Sequence, residues 1–313
     1  MSEPPTVPVR RGRLLRVAAA VVVLLSVATY VAVQYATGGR TAPRCKVVSA
    51  DGDGASYEFT PEQAVNAATI AAVGTSRGMP ERAVAIALAT ALQESGLRNL
   101  DHGDRDSLGL FQQRPSAGWG TTKQIMDPVY ASGRFYEHLA QVPGYARLPL
   151  TVAAQRVQRS GYPEAYAKHE PDATLLAASL TGRAEASLTC EGRPSGPDAE
   201  RAGDPARVRD ALVRDFGKQV RPTADASAGS VRVPVPDAGD PAGAGQRRRG
   251  WELAQWAVAG SSALRIEQVT YAGRRWTAGD DGGTWRTVPT DGSAGASAAA
   301  ADTAAEVRIV TAR

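Results

Sequence analysis

The stretch Ala85–Pro115, AIALATALQESGLRNLDHGDRDSLGLFQQRP, carries most of the chemically capable residues of the chain. A run of small and apolar residues leads into Glu94, and Ser95-Gly96 ends it. An acid at the end of a packed helix, facing a polar loop, is a position where burial can keep a proton on a carboxyl. Such a group serves as a general acid. A solvated helix-end carboxylate is the bland alternative. The loop that follows holds Asp101, Asp104 and Asp106, next to Arg98 and Arg105. A second carboxylate about 6.5–9.5 Å from the first is what an inverting glycosidase needs to activate water. Asp106, twelve residues after Glu94, is the candidate for that base.

Other chemistry is thinly supplied. The 313 residues contain two cysteines and three histidines, too few soft ligands for a Cys/His zinc cluster. No cofactor and no metal is called for. His102, His138 and His169 read as surface residues rather than ligands. The net charge is +4 despite 36 basic residues, so the composition does not suggest a dedicated nucleic-acid binder. Only Lys46, Lys123, Lys168 and Lys218 of those are lysine, which points to coding bias and not to mechanism.

The elements that position Glu94 are helical. Thr60-Pro61-Glu62-Gln63 combines an N-cap threonine, proline at the first helical position and glutamine at the capping-box position. A second helix restarts at Gly78-Met79-Pro80-Glu81 and ends in Glu94. Asp127-Pro128 and Pro149-Leu150-Thr151 introduce two more. A mainly helical domain over 56–190 follows.

Within that domain, Glu94-Ser95-Gly96 followed by Ser107-Leu108-Gly109-Leu110-Phe111-Gln112 resembles the lysozyme-like superfamily of soluble lytic transglycosylases and goose-type lysozymes. The resemblance implies that Glu94 is the catalytic acid. It also implies that Ser107, Gly109, Leu110 and Gln112 lie across a cleft and bind glycan. The family carries a downstream A-Y-N motif whose tyrosine lies near the acid. Here Tyr162 or Tyr166 fills that place, and the asparagine is missing. Trp119 either lines the cleft or packs. The substrate implied is the MurNAc–GlcNAc bond of peptidoglycan, cut by a transglycosylase without a second carboxylate or by a hydrolase with one. The alternative is a non-catalytic wall-binding or envelope scaffold module. A metal-handling or transport role, prompted only by HGDRD and an apolar N-terminal segment, ranks last.

Outside the domain, residues 17–36 are apolar and follow Arg10, Arg11, Arg13 and Arg16. About 20 apolar residues suffice for a ~30 Å hydrocarbon core, and the arginines place the N-terminus in the cytoplasm. The expectation is a cytoplasmic tail over 1–16, an uncleaved transmembrane helix over 17–36 in contact with the lipid bilayer, and a stalk over 37–55. A cleaved signal peptide is the competing reading. The protein is then a single-pass cell-membrane protein with its bulk extracytoplasmic. Cys45 and Cys190 bracket the helical domain and read as a disulfide in an oxidising compartment.

From Glu191 onward, seven prolines and eight glycines in 55 residues read as a linker, 191–248, with one short helix after Asp204-Pro205. SVRVPV, from Ser230 to Val235, reads as an edge strand. Residues 249–313 read as a small α/β domain, interrupted by the low-complexity loop SAGASAAAAD. Four of the five tryptophans fall there and read as core rather than as a carbohydrate-stacking face. This block resembles the C-terminal half of peptidase-like domains of cell-wall enzymes. It has no histidine to hold zinc, so it reads as a degenerate copy that binds wall peptide or an envelope protein partner. The fold class is α+β overall.

Overall fold

The computed structural model describes residues 16, 19–27, 29, 44–162, 164–191, 202–236, 239, 243–279, 283–288 and 305–313. Residues Pro43–Arg313 form one compact unit.

The transmembrane helix expected at 17–36 is corrected. Among the described residues no helix is long and apolar enough to cross a membrane. The continuous helical stretch described there runs from 19 to 27. The remainder of the expected segment, and the tail before it, lie outside the described residues apart from Arg16 and Thr29.

The helical half is built on α1 (Pro61–Ser76) and α2 (Glu81–Ser95). The α1 capping box forms as the sequence indicates, with Thr60 and Gln63 satisfying each other's backbone amides. From Ala67 to Gly74 every residue of α1 is buried, so this helix is enclosed on all sides. Small side chains allow that close approach. A Cβ on Gly74 would lie 2.6 Å from the Tyr136 hydroxyl, which itself donates to the Ile70 carbonyl at 3.0 Å. The short helix α3 (Thr122–Ile125) packs on α4 (Pro128–Ala140), and α4, α5 (Leu150–Gln158) and α6 (Glu170–Leu180) pack around the central pair. A small sheet of order β2-β1-β3 closes one side, with β1 at Cys45–Val48, β2 at Ser56–Phe59 and β3 at Leu188–Cys190. Cys45 and Cys190 face each other in the β1–β3 register and form the disulfide. The expected stalk therefore contains a strand of the folded unit.

The linker and separate C-terminal domain are also corrected. Residues in 191–248 contribute α7 (Pro205–Phe216), β4 (Thr223–Asp225) and β5 (Ser230–Pro234), followed by α8 (Ala244–Ala259) and α9 (Ser261–Leu264). The strands β6 (Ile266–Tyr271), β7 (Arg274–Thr277), β8 (Arg286–Thr287) and β9 (Glu306–Thr311) complete an antiparallel sheet of order β4-β5-β9-β6-β7-β8. The strand at Ser230 is internal, between β4 and β9, not an edge. The low-complexity loop lies outside the described residues.

Buried polar side chains join the two halves. The Asp215 carboxylate of α7 is almost fully buried and accepts from Thr69 of α1 at 3.0 Å and from the Trp256 indole of α8 at 2.8 Å. Gln255 of α8 is wholly buried. Its amide donates to the Ser179 and Ala184 carbonyls, and its carbonyl accepts from Ser187 and Leu188 amides. Glu252 is hydrogen-bonded to Thr75 and Arg249, and its burial raises its pKa. Removing one partner from such a network strands a buried polar group, so the halves are held as one body. Trp251 and Trp276 fill the core, and Trp285 packs edge-on against Trp251.

Candidate functional site around Glu94

Helix α2 ends in two consecutive left-handed residues. Gly96 caps it at φ 61°, and Leu97 follows at φ 60°. The left-handed region costs a non-glycine residue about 1–2 kcal/mol. Leu97 is held there by complete burial and by Asn66 Nδ2, which donates to its carbonyl at 2.8 Å. Gln63 Nε2 donates to the Gly96 carbonyl at 2.8 Å. The N-terminal turns of α1 thus grip the elbow that follows Glu94. Sequence reading assigned Gln63 only its capping role, and it gave Asn66 none.

The Glu94 carboxylate is half-buried, and the Tyr166 hydroxyl donates to its Oε1 at 2.6 Å. The Tyr166 ring is wholly buried. Burial, and then the hydrogen bond and negative charge of Glu94, push the phenol pKa well above its ordinary value. The phenol therefore stays a donor at any physiological pH. Of the two tyrosines considered, Tyr166 meets the acid. Tyr162 is 78% exposed and engages Ser160 through its own amide.

The next residue clasps the opposite loop. Ser95 Oγ donates to the Leu110 carbonyl at 2.8 Å. That loop is a tight turn closed by reciprocal amide–carbonyl bonds between Leu108 and Gln113. It requires φ 75° at Gly109 and φ 47° at Gln112. A Cβ on Gly109 would lie 2.8 Å from the Ile125 carbonyl. Leu110 and Phe111 are buried, and Phe111 stacks on Phe135 with centroids 4.8 Å apart. Leu110 therefore serves through its carbonyl and the core. Ser107 is buried in the loop. Gln158 of α5 donates to the Phe111 carbonyl at 2.8 Å, a contact with no warning in the sequence.

Beside this turn lies a groove of about 580 Å³, bordered by Gln112, Arg114, Trp119, His138 and Gln158 among others. Trp119 stacks on His138 with ring centroids 4.2 Å apart. Burial, followed by the Arg134 charge, lowers the His138 pKa, which favours the neutral ring. The two rings cover each other's facing sides at the border of the groove.

Asp106 does not join Glu94 in any contact described. Its carboxylate accepts from Arg114 Nε at 2.9 Å, from the Ser116 amide at 2.8 Å and from the Ser116 hydroxyl at 2.9 Å. The Arg114 and Ser116 bonds hold its pKa far below the usual carboxylate range. A carboxylate so stabilised is a weak base at neutral pH, so the base role expected for Asp106 is not supported. Asp101 is exposed beside His102, and Asp104 is exposed.

A family model described as the C-terminal domain of VldE matches residues 230–299, which begin at β5. No curated protein matches the chain. The matched segment lies outside the Glu94 site, so the chemistry of that site rests on its own geometry.

Proposed function

We propose that this chain is a peptidoglycan-cleaving enzyme of lytic-transglycosylase type, acting outside the cytoplasm on MurNAc–GlcNAc bonds. The observation that carries the reading is the Tyr166–Glu94 hydrogen bond of 2.6 Å, in the corner where Ser95 clasps the Gly109–Gln112 turn. Glu94 in its acid form gives its proton to the glycosidic oxygen as the C1–O bond breaks. The C6 hydroxyl of the same MurNAc closes onto C1 and returns its proton to Glu94, leaving a 1,6-anhydro end. One carboxylate suffices. That favours this route over hydrolysis, because Asp106 is committed to Arg114 and Ser116. Tyr166 orients the Glu94 oxygen, and the groove beside the Gly109–Gln112 turn, which neither Glu94 nor Tyr166 borders, accommodates sugar rings flanking the cleaved bond. The disulfide supports an oxidising compartment.

The test is mass spectrometry of soluble products from purified peptidoglycan treated with the full chain or Glu94→Gln. Anhydro-MurNAc ends lost in the variant are expected. Reducing ends indicate hydrolysis. Retention on the wall without products supports the non-catalytic binding reading.

A further inference from the structure

The registers of the six-stranded sheet align four arginines in a single row. Arg232 of β5 pairs with Arg308 of β9, Arg308 with Thr270 of β6, Thr270 with Arg275 of β7, and Arg275 with Arg286 of β8. Paired residues in an antiparallel sheet project to the same face. The neighbouring row, Val231–Ile309–Val269–Trp276, is buried and faces the core. The arginine row therefore lies on the outer face, and all four arginines are exposed. At about 4.8 Å between strands, the row from β5 to β8 spans about 19 Å.

Like charges placed directly opposite one another destabilise a sheet. Solubility is served better by mixed signs. On this face Glu306 lies 3.9 Å from Arg232. The flanking rows on the same face are Asp225–Ser230–Val310–Gln268–Thr277 on one side and Pro234–Glu306 on the other; neither is basic, and each carries one acid. The charge is thus a line one residue deep. A bilayer surface is met by charge spread over an area, whereas a line matches a chain laid across the strands.

From this geometry we infer that the outer face of the C-terminal sheet binds a linear acidic glycopolymer, through phosphodiester or carboxylate groups. The choice of a glycopolymer over a nucleic acid rests on the extracytoplasmic reading proposed above. The binding itself does not depend on Glu94.

The test measures binding of the full chain to poly(glycerol phosphate) and to polygalacturonate. Dextran, a single-stranded DNA oligonucleotide and phosphatidylglycerol vesicles serve as comparisons. The inference expects salt-sensitive binding to at least one acidic polymer. It also expects a loss of about tenfold or more in Arg232→Gln/Arg308→Gln/Arg275→Gln. Each lost contact should flatten the dependence of log affinity on log salt concentration. Glu94→Gln should bind as the unaltered chain does, which separates this surface from the catalytic proposal. Circular dichroism and thermal melting establish that the triple variant is folded. Equal binding to dextran overturns the inference, as does binding to DNA or vesicles as tight as to the polymers. Unchanged affinity in the folded triple variant also overturns it.

Discussion

Tyr166→Phe removes one oxygen from a ring that stays buried, so it isolates the hydroxyl's bond to Glu94 at 2.6 Å. A hydrogen bond to a charged group contributes about 1.5–3 kcal/mol. Glu94 is only half-buried, so water partly compensates and the low end applies, about 1.5 kcal/mol. In Glu94→Gln the acceptor is neutral, and the same hydroxyl should contribute about 0.5–1 kcal/mol. The double-mutant cycle should therefore return a coupling of about 0.5–1 kcal/mol. Urea unfolding of the four proteins measures it whether or not the chain is an enzyme. If Glu94 acts as proposed, Tyr166→Phe should also lower the rate of anhydro-product release by about tenfold, since 1.36 kcal/mol corresponds to a factor of ten. A coupling below about 0.2 kcal/mol, with an unchanged rate, would refute the positioning role of Tyr166.

Three further perturbations test the frame around this pair. The disulfide closes a separation of 145 residues, which the chain-entropy relation converts to about 5 kcal/mol. Reduction, or Cys45→Ala/Cys190→Ala, should lower the melting temperature by about 10–20 °C, and a shift under 3 °C would remove the disulfide as a main staple. Gly109→Ala meets both a positive φ of 75° and the Ile125 carbonyl, so it should cost about 2–4 kcal/mol in urea unfolding, where a tolerated turn would cost under about 0.5. Asp106 is held below its ordinary 3.8 by Arg114 and Ser116, so its stabilisation is present above that pH and lost as the pH falls below it. The melting-temperature gap between the unaltered chain and Asp106→Asn should therefore close on acidification below about pH 4, and a gap independent of pH contradicts the ion pair.

The sequence carried the helix starts plainly, because capping is local chemistry. Thr60, Asp127 and Asp204 each cap the helix they precede, and Gln63, at the third helical position, completes the box with Thr60. The disulfide pair was legible for a related reason, as the chain offers no other cysteines. The C-terminal organisation was not legible. Proline and glycine content marks flexible composition, yet Val208, Leu212, Phe216, Val231 and Val233 between those residues are buried. Five apolar residues on short elements outweigh a compositional average when a partner surface exists. That surface is supplied by residues far along the chain, which no local window contains. The same limit applied at the site. The motif indicated Glu94 and the Gly109 turn, but it could not decide between Tyr162 and Tyr166. Asp106 was the candidate base because an inverting glycosidase needs a second carboxylate, and its pairing with Arg114, eight residues on in the same loop region, is a tertiary contact that no residue pattern announces.

Helix α1 explains why the Glu94 corner and a distant sheet belong to one body. Toward its start, Gln63 and Asn66 fix the Gly96–Leu97 elbow and hence the direction in which Glu94 leaves α2. Further along, Thr69 and Thr75 bond to Asp215 and Glu252, which α7 and α8 bring. Both carboxylates are buried and have their own cationic partners, Arg214 and Arg249. Without α7 and α8, the enclosed middle of α1 would be open to water, and its apolar burial would be lost. The elbow's two side-chain donors stand on that same helix. The accuracy of the Glu94–Tyr166 contact therefore depends on packing supplied by the C-terminal half, although no residue of that half touches the acid in any contact described.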